Sequence, residues 1–124
     1  MKDHYKIAVL FTQPPFGSAV SREGLDAILA ASAYCEEDEI AICFLQDGIF
    51  NLIANQDPKA ILQKDHISTF KLLELYDLNE CFICESDIEK RGLVEAEWIL
   101  SNLNFVTKST IFEILKKSDK ILTF

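Results

Sequence analysis

The stretch from Phe70 to Leu93, FKLLELYDLNECFICESDIEKRGL, decides how the rest of the chain is read. Ile67, Phe70 and Leu73 recur at helical spacing, with Leu72, Leu75 and Tyr76 widening the apolar stripe. Asp77 and Asn79 suit the turn that follows, and Glu80–Cys84 is a short apolar run of the kind buried on both faces of a parallel sheet. Ser86 to Arg91 then predicts a charged helix, closed by Gly92 as a left-handed cap. Helix, buried strand and helix in that order point to an α/β fold. Cys84 stands where the strand hands over to the helix.

Working outward, the same alternation continues. Tyr5–Phe11 reads as a strand stopped by Pro14 and Pro15, and Ser21 is expected to cap a helix bearing Leu25, Ile28 and Leu29. Glu36–Glu39 is an acidic turn, Ile40–Leu45 a second buried strand, and Ile49–Ile53 a short helical turn. Lys59–Gln63 could form a further turn, and Asp65 could cap the helix leading into Leu73. Phe105–Thr107 is a short strand. Thr110 and Glu113 match a capping box for a helix burying Ile111, Ile114 and Leu115, and Ile121–Phe124 ends the chain as a strand. The expected architecture is a single three-layer α/β domain over residues 1–124, with a mainly parallel sheet flanked by helices. In such sheets sites gather at the carboxyl ends of strands, here Thr12–Gly17, Gln46–Gly48 and Cys84–Ser86.

Composition narrows the function. With 12 Lys and Arg against 20 Asp and Glu, the net charge of -8 argues against direct binding of nucleic acid, which needs clustered cations. No apolar run approaches the roughly 20 residues that span a bilayer, and no signal peptide is seen, so a cytoplasmic location with reduced thiols is expected. Apolar residues make up 49% of the chain, enough for a core with a surplus for an interface. Phe16, Phe50, Trp98 and Phe105 are the aromatics that could serve one, core burial being the alternative for each.

Four cysteines carry the remaining chemistry. Cys81 and Cys84 form a CxxC, but on a strand residues three apart face opposite ways, with Cα atoms about 10 Å apart, too far for a disulfide. No second CxxC or His pair completes a metal site, so neither metal nor cofactor is expected. Cys35, Cys43 and Cys81 read as small apolar filler, and His4 and His66 as surface or capping residues. Cys84 is the candidate nucleophile by position. The acids Glu85, Asp87 and Glu89 oppose its ionisation, and only Lys90 and Arg91 counter them nearby.

A family resemblance covers the chain from about residue 6 to its end. It rests on Ser21–Ala27 (SREGLDA), Leu45–Phe50 (LQDGIF), Thr69–Leu73 (TFKLL) with Leu75-Tyr76-Asp77, Arg91-Gly92-Leu93, and the terminal Ile121–Phe124 (ILTF). In combination and order these resemble the TusC family, the DsrF-like subunits of the DsrE/DsrF-like superfamily. The resemblance implies a subunit of a heterohexamer with TusB and TusD, built as a dimer of heterotrimers. That complex takes persulfide sulfur from TusA, which a cysteine desulfurase loads, and passes it to TusE for 2-thiouridine at the tRNA wobble position. It also implies that the reactive cysteine belongs to TusD, and that Cys84, at the matching position, is not the essential carrier. The expected role is therefore a non-catalytic or accessory partner of the TusD site. The alternatives are that Cys84 itself carries persulfide, or that the chain is an isolated ligand-binding α/β module.

Overall fold

A computed structural model describes residues 2–54 and 70–124. The expectations placed on Lys59–Gln63, Asp65, His66 and Ile67 lie outside the described residues. Among these residues five strands form one sheet: β1 (Tyr5–Phe11), β2 (Ile40–Phe44), β3 (Cys81–Cys84), β4 (Asn104–Val106) and β5 (Ser118–Thr123). Their order is β4-β3-β2-β1-β5, and every neighbouring pair is parallel. The helices are α1 (Val20–Ala31), α2 (Leu72–Leu75), α3 (Glu85–Lys90) and α4 (Lys108–Lys116), with 3-10 turns at Glu37–Glu39 and Gln46–Leu52.

The central strands are apolar on both sides because both sides are covered. Val9, Phe11, Ile40, Ile42, Phe44, Cys81 and Ile83 face α1, α2 and α3, through Leu25, Ile28, Leu73 and Ile88. Ala8, Leu10, Ala41, Cys43, Phe82 and Cys84 face α4, through Ile111 and Ile114. This is the three-layer α/β arrangement with a parallel sheet that the alternation of elements implies. Among the described residues, no helix is long and apolar enough to cross a membrane.

Two helix starts differ from expectation. Ser21 does not cap α1: the helix begins at Val20 after Ala19, and the Ser21 hydroxyl donates to the carbonyls of Gln13 (3.1 Å) and Pro14 (3.3 Å). A buried serine thus ties the helix to the loop after β1 instead of closing the helix's own amides. Thr110 does not cap α4 either. Thr107 does, its side chain accepting from the Thr110 amide at 3.2 Å, so the helix starts one turn earlier than the capping-box pattern indicates. Leu115 is half-buried rather than part of the closed core. Gly92 behaves as expected. At φ +66° its amide bonds to Glu89 and the next amide, of Leu93, reaches back to Ile88, closing the end of α3.

Candidate functional site

The carboxyl ends of β2, β3 and β4 converge on one buried carboxylate. Asp87, in the first turn of α3, is only 2% exposed. Its Oδ2 accepts the backbone N–H of Gln46 at 2.7 Å, from the connection after β2. Its Oδ1 meets Lys108 Nζ at 3.3 Å, from the first turn of α4, and Arg91 Nη1 at 3.5 Å, one turn along from Asp87. Arg91 also donates through Nε to Asp47 Oδ1 at 3.0 Å. Gln46 takes a left-handed φ of +53°, the geometry that turns its amide toward Asp87. Gly48 completes the turn by lying so close to the Phe11 carbonyl that any Cβ would collide with it.

Cys84 is part of this cluster. It is fully buried and precedes α3 as its N-cap residue. Its Sγ lies 3.3 Å from Ser86 Oγ, and its thiol is one of the groups that lower the Asp87 carboxyl. Burial pushes the Asp87 carboxyl upward, but the Gln46 amide, the Cys84 thiol and the Lys108 ammonium outweigh it and hold the carboxyl below its ordinary value. Asp87 is therefore the anion, and the nearby cations are spent on it.

The structure separates the cysteines as the period of a strand requires. Cys81 packs on the face covered by α1–α3, while Cys84 packs on the α4 face beside Cys43. Burial pushes Cys43 up to about 12, helped by Cys81, and pushes Cys81 up to about 12, helped by Glu80 and Glu74. Cys35 is half-buried and packs against the core edge. His4 is exposed, with Nε2 2.6 Å from Asp119 Oδ1. Among the described residues, no three His, Cys, Asp or Glu side chains gather as a metal site.

Arg91 was legible as a counter-charge, although it serves Asp87 and Asp47 rather than Cys84. Lys90 is exposed, and it is Lys108, far along the chain, that takes the place expected of it. Asn51 was missed altogether. It is fully buried, and its Nδ2 donates to the carbonyls of Gln13 (2.9 Å) and Gly48 (2.8 Å), clamping the loops after β1 and β2.

The sequence of the chain matches a known family over residues 5–124, described as the DsrE/DsrF-like family. The chain belongs to that family. Within it, the chain is 50% identical over 119 residues to the TusC homologue of Haemophilus influenzae, covering 96% of this chain and 99% of the relative. The TusC homologue of Aliivibrio fischeri is 44% identical, over 96% of this chain and 98% of the relative. That of Pasteurella multocida is 42% identical, over 96% and 99%. These place the chain with the TusC-type members of the DsrE/DsrF-like family. The crystal structure of the ychN protein from E. coli superposes with a TM-score of 0.77 at 18% identity, covering 97% of this chain and 99% of that one; the two share the fold.

Proposed function

We propose that this chain is the TusC-type subunit of a cytoplasmic sulfur relay, acting as one domain in a heterohexamer with TusB- and TusD-type partners. Persulfide sulfur passes from a TusA-type donor through that complex to a TusE-type acceptor, toward 2-thiouridine at the wobble position of tRNA. The chain's part is to build and shape the partner's sulfur site, touching neither nucleic acid nor membrane itself.

One observation carries the accessory role. The thiol at the mouth of β3, Cys84, is fully buried, and the cations nearby are engaged by the buried Asp87 carboxylate. Accepting or passing persulfide sulfur requires a thiol that donor and acceptor can reach, and burial denies Cys84 that access. The test is Cys84→Ser in a strain lacking the native subunit, with 2-thiouridine measured in bulk tRNA. Native thiolation is expected. Loss of thiolation by a variant that still folds and assembles would instead make Cys84 a carrier.

A further inference from the structure

Beside α3 and β4 lies an open groove of about 160 Å³, lined by Glu85, Ile88, Glu89, Val94, Trp98 and Phe105. Ile88 is buried beneath it as part of the main core, whereas Val94 is 68% and Phe105 47% exposed. Trp98 and Phe105 meet edge to face, with ring centroids 6.1 Å apart, and make a rigid aromatic wall. The two carboxylates of the rim are exposed, and among the described residues neither has an ion-pair partner. Along one side runs β4, an edge strand paired, among the described residues, only with β3.

We propose that this groove is the docking surface for an extended segment of a protein partner, one bearing an apolar side chain next to a Lys or Arg. The inference deepens the subunit reading above and rests on it. Three features select that occupant. An apolar cavity of about 150 Å³ holds one benzene-sized group, so the groove takes one aliphatic or aromatic side chain. The outer edge of β4, unpaired among the described residues, offers main-chain donors and acceptors to a strand laid beside it. The Glu85 and Glu89 rim attracts a cation and repels phosphate, which excludes nucleic acid. The same charge argues against a second copy of this chain, whose net charge is -8.

The experiment co-expresses the full chain with the TusB- and TusD-type subunits, captures the tagged TusD-type subunit, and determines the mass of the eluted assembly. Native chain is compared with Glu85→Lys/Glu89→Lys, with Val94→Glu, and with Phe112→Glu. Phe112, 50% exposed on α4 and outside the groove lining, serves as the control. All substituted side chains are exposed, and circular dichroism melts verify that each variant folds. Loss of about tenfold or more of retained chain is expected for both groove variants, with the control retained like native. Groove variants that assemble like native protein would overturn the docking site while leaving the subunit reading intact. A native chain that stays alone beside both neighbours would overturn both. Self-association of the isolated chain, abolished by the groove variants, would overturn the proposed occupant in favour of a second copy.

Discussion

The two faces of the sheet are built from different materials. Toward α1–α3 the strands present Phe11, Phe44, Ile40, Ile42 and Ile83. Phe11 and Phe44 stack at 5.0 Å, and Phe70 meets both edge-on at 5.4 and 6.0 Å. Toward α4 they present Ala8, Ala41, Cys43 and Cys84 among a few larger residues, and one helix covers them. The first face gains its stability from large apolar area and ring contacts. The second gains close approach, since small side chains let a single helix seat tightly over the strands. The lesson concerns cysteine. On the thin face a thiol is first a small packing unit that lets the helix approach.

The contrast can be broken most forcefully on the aromatic side. Phe44→Ala should cost about 4 kcal/mol in urea unfolding, because it removes a ring that touches two others and leaves a cavity; a loss below about 1 kcal/mol would mean that this face collapses freely. Next comes the junction beyond the thin face. Asp87→Asn should cost about 3 kcal/mol at neutral pH, because it removes the charge from a buried group facing Lys108 and Arg91. Its pH dependence follows from the lowered carboxyl of Asp87. That contribution is present above the unfolded carboxylate value, about 3.9, and is lost as pH falls through the folded value. The gap between native protein and Asp87→Asn should therefore close on acidification below about pH 4.

Ala41→Leu tests the close approach itself. Overpacking beneath α4 should cost about 2 kcal/mol, and an unchanged melting temperature would show the helix to be loosely seated. The smallest effect falls on the thiols. Cys84→Ser should alter stability by about 1 kcal/mol or less, since a hydroxyl can keep the hydrogen bond to Ser86. Timed alkylation of the native protein near neutral pH, followed by mass spectrometry, should label half-buried Cys35 ahead of Cys43 and Cys81, both held at about 12.

The strands were legible because burial on both faces writes itself as continuous apolar runs, and Tyr5–Phe11 was found to the residue. The opposite facing of Cys81 and Cys84 followed from the two-residue period alone. Boundaries drifted where side chains serve distant partners. Ser21 has the chemistry of an N-cap, yet its hydroxyl is drawn to Gln13 and Pro14; Thr110 has a capping-box partner in Glu113, yet Thr107 supplies the cap. β5 begins at Ser118, three residues before the expected Ile121, because polar and charged side chains suit a half-exposed edge strand. At the site, position singled out Cys84, but the residue that organises its surroundings is Asp87. Its partners Gln46 and Lys108 stand 41 and 21 residues away, separations that no local pattern encodes.

Asp87 is held by a main-chain amide from one connection and by side chains from two others. Loops that share one anchor cannot loosen one at a time. Amide protons in the segments that follow β2, β3 and β4 should therefore exchange with solvent through a common opening event, making that rim of the molecule a cooperative unit.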